Sequence, residues 1–394
     1  MNRLTLLSVV AVVAAFLGCA DERVEVVDCP LSPEEVEKML NDHVEESKKK
    51  SEQQSASADE ASGTAEAKES PEPQPKPIRS QEELTAAIKA KNPDFQGRLF
   101  TRSDESNIIL VAINDPGVTD ISPLKGMPLK GLDLSGTRVD DISALKGMPL
   151  RELYLVQTGV DDLGPLKGMP LVKLDLRGTK VSDLGPLGGM PLQELFCEDT
   201  RVKDISPLKS MRLVKLYLNN TNVNDISALK EMPLKELNII GTKVSDLAPL
   251  EGMGLEMLWF SDCPVSDISP LAKVGLVSVT MARTKVSDIS PLKGHPTLQR
   301  LHIAGTDVTD LSPLQWMKLT RLIFTPGRIT KGIEYARKMP TIGEIGTEFG
   351  EPGNAPPMRP PQFWQLYDAG KFAKPSGDSS DPKTNPGDSD ARDK

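Results

Sequence analysis

Aspartate recurs every 21 residues through the middle of this chain, at Asp120, Asp141, Asp162, Asp183, Asp204, Asp225, Asp246, Asp267 and Asp288, with Asp310 following after 22 because Thr297 is inserted. Self-similarity at a fixed short period identifies a stack of small supersecondary units, each unable to bury its apolar face alone. The unit reads approximately Val-x-Asp-(Ile/Leu)-Ser-Pro-Leu-Lys-Gly-Met-Pro-Leu-x-x-Leu-x-Leu-x-Gly-Thr, as in Val181 to Met190 and Val286 to Leu292.

Within a unit, Leu-x-Leu (Leu132-Asp133-Leu134, Leu153-Tyr154-Leu155, Leu174-Asp175-Leu176) is a short strand whose alternate residues face inward. Stacking the units lines these strands into a parallel sheet. Proline in the Asp-Ile-Ser-Pro-Leu segment has no N–H to give a ladder, so this segment crosses the opposite face as a tight turn or one turn of 3-10 helix. Aspartate at the start of that turn accepts its free amide hydrogens, which explains the Asp column without calcium or catalysis. The threonines at 137, 158, 179, 200, 221, 242, 284 and 306 form a second column suited to bonding loop backbone, with Cys263 replacing one of them. A methionine column (127, 148, 169, 190, 211, 232, 253, 317), interrupted by Val274 and His295, fills the core ahead of each strand rather than binding a soft metal. Cys197 occupies an inward strand position and reads as buried and inert.

These motifs resemble bacterial leucine-rich repeats of the short internalin-like type, and the resemblance covers Val118 to Gly327. It implies a repeat solenoid with a parallel β-sheet on the concave face, tight turns or 3-10 segments on the convex face, and small helical caps. Ser80-Gln81-Glu82-Glu83 has the spacing of a capping box and starts a helix through Ala90, after which Asn107 to Asn114 gives an opening strand; residues 80–117 form the N-terminal cap. At the other end Thr330 to Met339 reads as a helix. Phe363, Trp364, Leu366, Tyr367 and Phe372 form an apolar cluster after a Pro-rich bend, making 328–374 the C-terminal cap. The segments Lys91 to Gly97 and Pro361 to Trp364 resemble flanks seen in a bacterial group of such repeat proteins, some of which carry Ser/Thr kinase domains. No Gly-rich loop with a paired Lys, no His-Arg-Asp and no Asp-Phe-Gly occurs in this sequence, so kinase activity does not transfer.

Ahead of the caps, Arg3 precedes an uncharged apolar run from Leu4 to Leu17, too short to cross a bilayer as a helix. Its end, Phe16-Leu17-Gly18-Cys19, resembles the lipobox of bacterial lipoprotein signals. The resemblance implies removal of residues 1–18, acylation of Cys19, and a chain anchored to the cell envelope, with Ala20 favouring the outer membrane where the cell has one. Residues 19–79 then read as a tether with a short helix at about 33–46, followed by a Lys, Glu, Ser, Gln, Ala and Pro stretch with nothing large to bury; 375–394 reads as a disordered tail.

Charge narrows the function classes. Lys and Arg total 47 against 56 Asp and Glu, a net charge of −9, which opposes nucleic-acid binding. With His43, His295 and His302 and Cys19, Cys29, Cys197 and Cys263 scattered along the chain, no zinc cluster assembles by spacing. The pairing of Cys29 and Cys263 stays open. No catalytic residue, cofactor or metal is expected.

The residue between the two inward strand positions points out of the sheet, giving the column Ala112, Asp133, Tyr154, Asp175, Phe196, Tyr217, Asn238, Trp259, Thr280, His302, Ile323. Four of these are aromatic against 4% for the whole chain, so Tyr154, Phe196, Tyr217 and Trp259, with His302, are expected to be exposed as a binding stripe for a protein or peptide. Strand spacing places Trp259 roughly 10 Å beyond Tyr217. Cross-strand stacking that merely suits the sheet is the competing explanation. The preceding column alternates in sign, Glu152, Lys173, Glu194, Lys215, Glu236, and reads as register support. The expected role is a lipid-anchored, non-catalytic protein-binding scaffold. The alternatives are a regulatory or sensor partner of a membrane Ser/Thr kinase pathway, resting on the family resemblance, and an envelope hydrolase built around His302.

Overall fold

A computed structural model describes residues 78–104, 107–348 and 357–372. The expected leader with Cys19, the tether with its helix at about 33–46, Cys29 and the tail from 375 lie outside the described residues. Thirteen strands form one sheet in chain order. They are β1 (Leu99–Ser103), β2 (Ile108–Ile113), β3 (Gly131–Asp133), β4 (Glu152–Tyr154), β5 (Lys173–Asp175), β6 (Glu194–Phe196), β7 (Lys215–Tyr217), β8 (Glu236–Asn238), β9 (Met257–Trp259), β10 (Ser278–Thr280), β11 (Arg300–His302), β12 (Arg321–Ile323) and β13 (Glu344–Gly346). From β2 onward every pair is parallel and in register, so Leu132, Leu153 and Leu174 lie side by side. Those leucines are fully buried, as are Leu134, Leu155 and Leu176.

The proline-bearing segments form short 3-10 turns such as Ser122–Leu124 and Gly164–Leu166, each burying its leucine. In all ten repeats the column aspartate accepts the backbone N–H two residues ahead at 2.7 to 2.8 Å, from Ser122 in the first to Ser312 in the last. The aspartate sits one residue before the N-cap position, so the bond closes an Asx turn that feeds the 3-10 segment. These bonds from the serine backbone, and then from the serine hydroxyl, hold Asp141, Asp204, Asp225 and Asp267 below the usual carboxylate range. The threonine column is buried, and each hydroxyl donates to the carbonyl three residues back at 2.6 to 2.8 Å. Cys263 takes over by donating its thiol to the Ile239 carbonyl at 3.0 Å. The column methionines, Val274 and His295 are all buried.

Both ends differ from the sequence expectation in detail. Helix α1 (Gln81–Lys91) starts at Ser80, whose hydroxyl accepts from Glu83 N at 3.1 Å, but Glu83 reaches back to the Arg79 amide at 2.8 Å, one residue beyond a capping box. Buried Asn92 fastens α1 to the first turn, donating to the Ile88 and Asp120 carbonyls and accepting from the Thr119 and Asp120 amides. Strand β1 was not expected; it pairs antiparallel with β2 and closes that edge of the sheet.

At the far end the parallel ladder continues past residue 327 to β13. Helix α2 (Ile333–Lys338) begins three residues later than the pattern suggests. Thr330 and Lys331 instead donate to the Thr309 carbonyl, Leu311 donates to the Lys331 carbonyl, and Gly332 turns the chain at φ +81, where a Cβ would collide with the backbone of Leu311 and Ser312. Helix α3 (Pro360–Asp368) delivers Phe363 into the core against Phe324 and Phe372, with ring centroids 5.7 and 4.8 Å away.

Candidate recognition face

Strand alternation sends the middle residue of each short strand into the core and its two neighbours onto the sheet's other face. On that face the charge column pairs as its signs require: Lys173 with Glu194 and Lys215 with Glu236, each at 3.1 Å. The aromatic column is tied into the same network. Tyr154 donates to Glu152 at 3.0 Å and Tyr217 to Glu236 at 2.7 Å. Phe196 and Tyr217 meet edge to face at 5.2 Å. Tyr217 and Trp259 meet at 5.9 Å although a strand separates them, well inside the spacing expected from strand geometry. Between them Asn238 turns its side chain back to accept from the Ile240 amide, and the rings lean together over it.

The stripe is therefore less open than the outward column implies. Tyr154 is only 8% exposed, which corrects its assignment as an exposed contact. Its ring lies between the Asp133 and Asp175 strands, and the Lys173 ammonium sits over it at 5.6 Å. Phe196, Tyr217, Trp259 and His302 are half-buried. Lys173 also caps the Phe196 ring at 5.7 Å, and the Arg177 guanidinium lies 5.9 Å from it. Asp175 is buried and held by Arg177 through Nε at 2.9 Å and Nη2 at 2.6 Å. Burial raises the pKa of Asp133, against the bonds it accepts from Ser135 and Asn114. Burial, aided by Arg283, pushes the His302 ring down to about 4, so it is a neutral imidazole at ordinary pH.

Sequence reasoning missed one further row. Alternation continues a step past each strand, so Phe196 faces out, Cys197 in and Glu198 out again. Cys197 is fully buried and its thiol is pushed well above the ordinary range by that burial. Glu198 is 8% exposed, its Oε2 has no hydrogen-bond partner, and burial lifts its pKa to about 7 despite Arg177 nearby. Its neighbour on the next coil, Asn219, likewise holds a buried Oδ1 without a partner. The outward parity of Glu198 was readable, but its burial was not, because that depends on side chains from adjacent coils. Cys263 is a buried free thiol like Cys197. Among the described residues no three His, Cys, Asp or Glu side chains gather into a metal site, and no helix is long and apolar enough to cross a membrane.

No protein-family model matches the sequence, and no curated protein matches it. Among solved structures the chain is similar to an internalin, InlF, from Listeria monocytogenes, at 21% identity over 69% of this chain and 96% of that one, with a TM-score of 0.54. It is also similar to internalin C2 from the same species, at 23% identity over 61% of this chain and 92% of that one, TM-score 0.31. The ectodomain of the Arabidopsis receptor kinase HAESA, in complex with an IDA peptide hormone, matches at 18% identity over 57% of this chain and 39% of that one, TM-score 0.43. The fold is a leucine-rich repeat.

Proposed function

We propose that this leucine-rich repeat protein is a non-catalytic protein-binding scaffold whose working surface is the concave sheet face, and that a lipid on Cys19 holds it at the cell envelope. The observation that carries the reading is the row of Phe196, Tyr217 and Trp259, half-buried rings of which Tyr217 touches both others, on a face whose middle column changes from coil to coil. Aromatic rings already fixed against one another lose little freedom when a partner arrives, and such rings supply much of the affinity in protein interfaces. His302 extends the row toward the C-terminal end, while Tyr154 acts by holding Glu152. The apolar run ending in Gly18-Cys19 supports the anchor.

Affinity capture from envelope extracts of the producing cell tests the surface. Tyr217→Ala combined with Trp259→Ala should abolish partner recovery while circular dichroism and cooperative unfolding persist; undiminished recovery overturns the assignment. Fractionation tests the anchor: Cys19→Ser should move the protein out of the membrane fraction, and no change overturns the lipid.

A further inference from the structure

We infer that the concave face carries a seat for a basic side chain, the ammonium or guanidinium group of a Lys or Arg in the partner, with Glu198 and Asn219 as its acceptors and Phe196 and Tyr217 as its aromatic wall. The inference rests on the concave face being the binding surface and adds the chemistry of what binds there.

Three observations converge. First, Glu198 and Asn219 occupy equivalent places on adjacent coils, which the ladder bond from Asp199 N to Asn219 O at 3.0 Å joins. Each keeps a buried oxygen that nothing in the fold satisfies. An unsatisfied buried acceptor is a net cost to the free protein, and two side by side call for a ligand that donates. Lys and Arg groups donate only, three and five hydrogens respectively.

Second, the cations already on this part of the face are engaged. Lys173 pairs with Glu194, Lys215 pairs with Glu236, and Arg177 is clamped by Asp175. Glu198 lies beside Arg177, yet the guanidinium is turned to Asp175 and leaves Oε2 unmet. Glu198 is the carboxyl left over from these pairs, and an arriving cation favours its ionised form.

Third, the adjoining rings already accept cations on their faces. Lys173 sits 5.7 Å from the Phe196 ring centre and Arg177 sits 5.9 Å from it, and Tyr217 continues the wall at 5.2 Å from Phe196.

The test uses fluorescent nonapeptides of Gly and Ser with one central Lys, Arg, norleucine, citrulline or Glu, titrated against the mature chain at 150 mM salt and read by polarisation. Lys and Arg peptides should bind at least tenfold tighter than their uncharged counterparts. Glu198→Leu should abolish that preference while raising the unfolding temperature, because the orphan acceptor is gone; a purely structural Glu198 would lower it. Asn219→Leu should weaken the preference, and Glu251→Leu on the convex edge should leave it intact. The inference is overturned if wild type does not discriminate, if no peptide binds, if Glu198→Leu still discriminates, or if Glu251→Leu weakens binding as much as Glu198→Leu. Peptides held alike by wild type but lost by the Tyr217→Ala Trp259→Ala variant would sink the seat and keep the concave-face reading. Basic peptides bound equally by wild type and that double variant would sink the reading itself.

Discussion

The convex turns and the concave face belong to the same coils and obey opposite rules. On the convex side each coil meets one need, free amide hydrogens at the start of a 3-10 turn, with one device, the aspartate two residues back. Along the middle column of the concave side the side chain changes at every step: Asp175, Phe196, Tyr217, Asn238 and Trp259 follow one another. Repetition marks what stacking demands, since any coil can replace any other there. Individuality marks what stacking leaves free, and that is where a surface for one partner can be written.

Five substitutions sharpen or break this contrast. The largest strikes the core that both faces share. Leu216→Ala removes a fully buried strand leucine and should lower stability by about 2–5 kcal/mol in denaturant unfolding; a loss near zero would mean that the coils do not stack as one interior.

Next come two concave groups with opposite pH signs. Glu198 ionises at 4.5 when unfolded and at about 7 when folded, so the native state holds the proton more tightly and stability falls as pH rises from 4.5 through 7, by up to about 3 kcal/mol. His302 falls from 6.5 to about 4 on folding, so its contribution is full above 6.5 and is lost as pH drops toward 4. Relative to wild type, Glu198→Gln should gain thermal stability between pH 5 and 8, and His302→Gln between pH 7 and 4. Parallel profiles would show that neither side chain is buried as described.

Smaller still is one rung of the convex column. Asp225→Ala leaves the Ser227 amide unmet and should cost about 0.5–2 kcal/mol in unfolding, with concave binding unchanged. Last is a convex exception, Trp316, which is 86% exposed at φ +71 in a turn position where Gly126, Gly147, Gly168, Gly189, Gly252 and Gly294 stand in other coils. Trp316→Gly should relieve this backbone and raise stability by about 1 kcal/mol; a decrease would show that the ring is held by contacts on the convex side.

The fold was legible wherever residue type and period agree. Leu-x-Leu gave the strands, Pro gave most of the turns, although Ser143–Leu145 and Ser227–Leu229 form theirs without it, and the buried threonine and methionine columns follow from the same count. What escaped lies outside the period or depends on neighbours. Leu99 to Ser103 mixes apolar, basic and hydroxyl residues without repetition, so β1 shows only through its pairing with β2. The start of α2 was misplaced because Thr330 and Lys331 bond to the preceding coil, which outweighs local helix preference. For the candidate site, parity identified which side chains leave the core, but not how far adjacent coils cover them. Thus Tyr154 is buried by its flanking strands, Trp259 leans onto Tyr217 across Asn238, and Glu198 sits unmatched at a position that reads as the start of a loop.

Site-specific photocrosslinking compares the two faces directly. With a benzophenone amino acid at position 217 on the concave face or at exposed position 209 on the convex turns, illumination of the producing cells should yield a defined adduct with a protein from 217 and none from 209. An adduct from 209 with none from 217 would contradict the concave face as the recognition surface.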